Sequence, residues 1–278
     1  MKPIQPLAHI KTSWIAAAAV SSAVLLAACA PVQTTQSGAV GIERTQYMSG
    51  LVSEAQLDQE AAQQYQQILA QARAQHALDP SAAQTKRVQA IAQRLIAQVG
   101  VFRPDAKQWN WEVHVLKSDE VNAWCMPGGK IAVYTGMLEK INPTDAELAA
   151  VMGHEISHAL REHAREQVSR QMGAGIGVSI LAAVTGSQAV ADLGSNLSQV
   201  MFTLPNSRAN ETEADRMGVE LAARAGYDPR AAITLWQKME RLGGGQPSEM
   251  LSTHPSSASR IQDLKQATAK VMPLYHPQ

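Results

Sequence analysis

The chain has 278 residues, with 24 Lys and Arg balanced by 24 Asp and Glu, so its formal net charge is zero. Nothing in that balance suggests a nucleic-acid partner, and two cysteines are too few for a disulfide-stapled scaffold. A chain of this size supports one substantial core and falls short of two comfortable domains.

Lys2 and Lys11 precede an apolar run from Trp14 to Ala28 that ends in Leu26-Ala27-Ala28-Cys29. The layout is that of a bacterial lipoprotein signal peptide over 1–28, with Cys29 as the lipidated first residue of the mature chain; a plain secretory signal or an uncleaved anchor is the alternative. Ala30, in place of Asp, resembles lipoproteins sent on to the outer membrane. Residues 29–42, the lipidated Cys and a stretch rich in Thr, Gln, Ser and Gly, read as a flexible tether. A single domain over 43–270 and a short tail over 271–278 follow. Cys125 is then the only other cysteine, so no intramolecular disulfide is expected, and it reads as a small buried hydrophobe.

Glu43 to His76 is a Gln- and Ala-rich helical stretch. Ala82 to Val99 repeats apolar residues at Val88, Ile91, Leu95 and Val99, as a helix packed on a core does. Trp111, Val113 and Val115 alternate with polar residues in the manner of a half-buried strand. Val121 to Trp124 and Lys130 to Tyr134 read as two more strands, turned by Pro127-Gly128-Gly129. Asn142-Pro143 and Thr144-x-x-Glu147 are helix-start signals, and the helix they open is apolar from Ala146 through Met152 to Ile156.

Within that helix lies His154-Glu155-Ile156-Ser157-His158. Positions four apart are nearly stacked on a helix, so both imidazoles leave one face and can share a Zn²⁺, while Glu155 is close enough to take a proton from a water at the metal. Arg161 and Ala164 stand where a metzincin would continue with Gly and His, which excludes that class. On a continuous helix His163 falls on the opposite face and reads as a structural histidine.

Downstream, Ser207-Arg208-Ala209-Asn210-Glu211-Thr212-Glu213-Ala214-Asp215-Arg216 stacks Glu211 on Asp215 if helical, with Glu213 turned roughly the other way. One carboxylate can ligate the metal while the other holds a ligand histidine by its second ring nitrogen. Spacing alone does not say which.

HExxH, the later Asn-Glu-x-x-Ala-Asp, and the preceding Val121-Asn122-Ala123-Trp124 with Pro127-Gly128-Gly129-Lys130-Ile131 together resemble metallopeptidase family 48, over roughly residues 50 to 265. That family includes HtpX-like, CAAX-prenyl and OMA-type peptidases. The resemblance implies a gluzincin with one zinc per chain, Glu211 as third ligand, Asp215 behind a ligand histidine, and Asn122 and Ala123 along an edge that receives substrate as an added strand.

Two features remain. From Gln171 to Ala191 there is no charge; the glycines, Ser179, Thr185 and Gln188 make this a weak membrane span, and a lid near the site or a buried helix fits better. His254, in Ser252-Thr253-His254-Pro255-x-x-x-x-Arg260, could serve as a fourth ligand in a resting enzyme, as an oxyanion donor, or only as a turn residue capping the next helix. The expected fold is α+β and predominantly helical, with a small antiparallel sheet beside the HExxH helix. The expected function is a zinc endopeptidase, anchored by lipid to the outer membrane and facing the periplasm, that cleaves misfolded or stalled envelope and outer-membrane proteins. A chaperone that binds unfolded strands and rarely cleaves is the alternative, and only the intact Glu155 favours hydrolysis.

Overall fold

The computed structural model describes residues 30–50, 52–171, 193–242, 249–255 and 258–277. Cys29 with the apolar run before it, and residues 172–191 of the uncharged stretch, lie outside these. In chain order the elements are β1 (Ala30–Val32), β2 (Gln46–Met48), α1 (Glu54–Ala74), α2 (Ala82–Ile96), β3 (Glu112–Leu116), β4 (Ala123–Met126) and β5 (Lys130–Tyr134). They continue with α3 (Thr135–Lys140), α4 (Asp145–Leu160), α5 (Leu193–Phe202), α6 (Arg208–Arg224), α7 (Ala231–Leu242), α8 (Glu249–Thr253) and α9 (Ala258–Val271). Residues 163–171 are also helical.

The expected α+β, mainly helical architecture is present, with one correction to its sheet. The sheet has the order β3-β5-β4: β4 pairs antiparallel with β5, but β3 pairs parallel with it, so the sheet is mixed. The turn at Pro127-Gly128-Gly129 makes β4 the return stroke, and β5 then re-enters between β4 and β3 in the direction of β3. Gly128 and Gly129 hold φ of +71° and +80°, which side chains with a Cβ rarely adopt.

Both sheet faces are covered. Ala123, Cys125, Ile131 and Val133 join the main core with α2, α4, α6 and α7, while Trp124, Met126 and Ala132 join a second cluster with Leu57, Tyr65 and Leu69 of α1. This is why β4 and β5 are apolar in sequence without strong alternation. β4 is left at the edge.

The tether expected over 29–42 is not what residues 30–42 form. β1 pairs with β2, Val40 and Ile42 are buried in the main core, Gln36 N donates to Phe102 O at 2.8 Å and Val40 N donates to Glu220 Oε2 at 3.0 Å. A polar composition hid two core residues and a set of backbone partners. For the same reason the first long helix starts at Ser53, with a capping box to Gln56, and not at Glu43. Among the described residues no helix is long and apolar enough to cross a membrane.

α4 runs through the centre. Thr144 and Glu147 form its capping box, and every residue from Glu147 to Leu160 is buried. It packs on α6 at Gly153 and Gly218. A Cβ on Gly218 would meet His154 N at 2.8 Å, and one on Gly153 would meet Gly218 O at 2.9 Å. Neither backbone can give way. Gly218→Ala should therefore destabilise the protein by about 1–3 kcal/mol, as overpacking does, read by urea denaturation, and should lower zinc retention by prising α4 from α6.

Candidate metal centre

α4 supplies His154, Glu155 and His158, and α6 supplies Glu211 in its first turn, where Ser207 caps the helix and the N-terminal dipole favours a carboxylate. His254 follows α8. One ligand atom from each of His154, His158, Glu211 and His254 lies within 4.8 Å of the others, and all four residues are buried. His158 Nε2 is 3.1 Å from His154 Nε2 and 3.4 Å from Glu211 Oε1; His154 Nε2 is 3.5 Å from Glu211 Oε2. His254 Nδ1 is 2.9 Å from Glu211 Oε1 and 3.2 Å from His154 Nε2, so its ring faces the cluster.

Asp215, one turn on from Glu211, accepts from His154 Nδ1 at 3.0 Å. With its Nδ1 proton donated, His154 turns Nε2 toward the cluster. Arg260 of α9 donates to Asp215 from Nε at 2.5 Å and from Nη2 at 2.9 Å, and its guanidinium lies 3.8 Å over the Trp236 ring.

His163 is not on the opposite face. α4 ends at Leu160, Glu162 takes φ +53°, and the chain folds back so that His163 Nδ1 lies 2.9 Å from His158 Nδ1. His163 Nε2 is 3.1 Å from Glu213 Oε2. Glu213 also accepts from Arg161 Nε at 3.2 Å and from Arg44 Nη2 at 2.8 Å. Nothing in the spacing announced the left-handed residue at 162 or the contribution of Arg44. Arg260 was visible only as the far end of the His254 motif.

The electrostatics reflect these neighbours. Burial alone would lower the His154 pKa, but Asp215 and Glu211 raise it to about 9. Burial would raise Glu211, yet His254, His154 and His158 hold it well below the usual carboxylate range. His158 and His163 are pushed down by burial, and Glu155 is pushed up by it. Burial likewise lifts the Cys125 thiol well above its ordinary value, which leaves it a hydrophobe and no thiolate nucleophile. Glu155 Oε1 and Glu211 Oε2 are buried with no hydrogen-bond partner, although Arg260 Nη1 approaches the latter to 2.8 Å. Three imidazoles and a carboxylate converging on one buried space suit a divalent cation.

A cleft of about 710 Å³, its open mouth included, passes this cluster and is lined by Asn122, Ala123, Cys125, Glu155, His158 and His254 among others. Tyr134 N donates to Asn122 O at 3.0 Å, so by the alternation of an antiparallel ladder Ala123 and Cys125 turn their backbone groups away from β5. Ala123 N is met by Asn122 Oδ1 at 2.9 Å. Val200 and Met201 of α5 line the other side.

Glu54, Asp58 and Glu162 also line the cleft. Burial, then Glu54 and Glu162, raise the Asp58 pKa from 3.8 to about 6. A raised carboxyl costs nothing well below its unfolded pKa, costs progressively more as pH rises from that value to the folded one, and levels off above it. Asp58→Asn should therefore stabilise the protein at pH 8 by about 1 kcal/mol, after discounting for partial solvent exposure, and give a much smaller gain at pH 4, as thermal melts at the two pH values would show.

Residues 82–268 match Peptidase family M48. The chain is 42% identical over 158 residues to the mitochondrial metalloendopeptidase OMA1 of Arabidopsis thaliana, covering 57% of this chain and 32% of that protein. It is 37% identical over 174 residues to human OMA1, covering 58% and 33%, and 29% identical over 204 residues to the beta-barrel assembly-enhancing protease of Escherichia coli, covering 68% and 40%. The match thus takes in only a third to two fifths of each of these relatives. With most of its length inside the matched region, the chain belongs to peptidase family M48.

Proposed function

We propose that this protein is a zinc endopeptidase in which His154, His158 and Glu211 hold the metal and Glu155 is the general base. The observation that carries the reading is the convergence of those three ligand atoms beside a buried Glu155 in a cleft bounded by an edge strand. Zinc–ligand distances near 2.0–2.1 Å place the corners of a tetrahedron about 3.3 Å apart. His158 Nε2 and His154 Nε2 stand 3.1 Å apart, near that spacing, and the Glu211 carboxylate approaches them with different oxygens, Oε1 at 3.4 Å from His158 and Oε2 at 3.5 Å from His154.

Zinc bound there supplies Lewis acidity and a water acidified toward neutral pH. The chain's own residues do the rest. Glu155 takes the water proton and returns it to the leaving amine, and its burial keeps its basicity above that of a solvated carboxylate. Asp215, clamped by Arg260, accepts the His154 Nδ1 proton and so would leave Nε2 free to hold the metal. An extended substrate segment would pair with the outward groups of β4, displacing Asn122 Oδ1 from Ala123 N. Recognition of backbone selects unfolded or extended chains over any one side chain.

His254, given its contacts with Glu211 and His154, would serve as a fourth ligand in a resting enzyme. Replacement by alanine should raise the cleavage rate and leave zinc content unchanged.

For location we favour a lipid anchor at Cys29 in the outer membrane, facing the periplasm, with misfolded or stalled envelope proteins as substrates. Lys2, Lys11, the apolar run and the lipobox support it, as does the likeness to the Escherichia coli beta-barrel assembly-enhancing protease. The likeness to mitochondrial relatives supports the peptidase chemistry without bearing on this location. A chaperone would use the same edge strand and has no need of Glu155. Zinc content and casein cleavage of the parent and Glu155→Gln separate the two: both should bind about one zinc, and the variant should lose at least about 10²-fold in rate. Equal rates in the parent and Glu155→Gln, or no cleavage by either the zinc-loaded parent or zinc-loaded His254→Ala, would overturn the peptidase reading, whereas loss of cleavage in His254→Ala alone would overturn only the resting-ligand role of His254.

A further inference from the structure

The two metal-facing histidines are backed differently. Behind His154 stands a single carboxylate, Asp215. Behind His158 stands a chain of three groups from separate parts of the sequence: His163 just past α4, Glu213 on α6, and Arg44 just before β2.

The polarity of that chain is set from its far end. Glu213 is ion-paired with Arg44 and Arg161 and can only accept. Its neighbour His163 Nε2, 3.1 Å away, must therefore carry a proton. In a neutral ring that leaves His163 Nδ1 as an acceptor, and the 2.9 Å contact requires His158 Nδ1 to donate. His158 Nε2 is then bare, and it points at His154 Nε2 and Glu211. The carboxylate thus dictates, through one intervening ring, which nitrogen of His158 faces the cluster.

The near-zero exposure of His163 and Arg161 shows that the chain is built into the interior. Its outer end is not local to the metal helices. Arg44 holds Glu213 through Nε at 2.9 Å and Nη2 at 2.8 Å, and also bridges to Glu166 at 2.7 Å. Arg161 in turn donates to the Arg44 carbonyl and to Thr34 Oγ1, so the β1–β2 segment is tied to the same network.

We propose that His163 and Glu213 are positioning residues that hold His158 in its metal-binding tautomer and orientation, and that the N-terminal β1–β2 segment, through Arg44, completes this support. The inference rests on the reading of His158 as a metal ligand. It makes the segment that follows Cys29 a working part of the metal centre.

The test uses the purified full-length chain in detergent. Zinc affinity is measured by competition with a chromogenic chelator, the visible absorption of the Co²⁺-loaded protein reports ligand geometry, and melting of the metal-free protein reports the fold. His163→Leu and Glu213→Gln should each lose about 10–100-fold in zinc affinity and alter the Co²⁺ spectrum, while the metal-free proteins melt within a few degrees of the parent. His163→Gln, whose amide can accept from His158 and donate to Glu213, should stay within a few-fold of parental affinity. Arg44→Ala should lose affinity in the same direction by less. Parental affinity and spectrum in both His163→Leu and Glu213→Gln, equal losses in the two His163 variants, or unfolding of both metal-free proteins would each overturn the positioning role. Parental affinity in Arg44→Ala alone would remove the N-terminal segment from it. Parental zinc affinity in His158→Ala would instead show that the ligand reading is at fault.

Discussion

The constraint on which the rest of this structure depends is that a polar face of α4 lies at the centre of the protein. His154, Glu155 and His158 are all at most 8% exposed, and Glu211 and His254 are buried against them. Ionisable groups removed from water require partners of opposite charge or fixed hydrogen-bond polarity, because an unpaired buried charge costs several kcal/mol. Much of the chain is arranged to supply those partners. Asp215 and Arg260 answer His154; His163, Glu213, Arg161 and Arg44 answer His158. Glu155 Oε1 is left without a hydrogen bond, and Glu155 lines the cleft beside His158 and His254.

This explains features that would be odd in a simple helical domain. α4 and α6 touch through glycines because carboxylates on one must reach histidines on the other, and a wider spacing would part them. Arg260 is buried and lies over Trp236 because the charge of Asp215 has to be met without water. The N-terminal segment folds onto the domain because Glu213 and Glu166, both buried, use the guanidinium of Arg44. Beside this polar centre, β4 keeps one edge toward the cleft, so the same sheet that buries its faces in two apolar clusters can also present backbone groups.

Much of this was legible in the chain itself. The capping box at Thr144 and Glu147, the i, i+4 spacing of His154 and His158, and the turn glycines between β4 and β5 each carry a local physical meaning that tertiary context had no reason to override. The resemblance to family M48 supplied the choice of Glu211 over Asp215 as ligand, which spacing left open. Reading failed where composition stood in for structure: residues 30–42 look like a tether because Ser, Gly, Thr and Gln dominate, yet Val40 and Ile42 belong to the core. It also failed where a helix was assumed to continue. Glu162 carries no signal for φ +53°, so His163 fell on the wrong side in a reading that extended α4 by periodicity.

The sequence by itself determined the chemistry, because HExxH and the later Glu and Asp are local patterns whose helical spacing follows from 3.6 residues per turn. Only the tertiary structure decided how that chemistry is supported. Arg44, His163 and Glu213 meet through ion pairs and hydrogen bonds between segments far apart in the chain. No local pattern encodes such contacts, since they exist only once burial has removed the water that would otherwise satisfy each group separately.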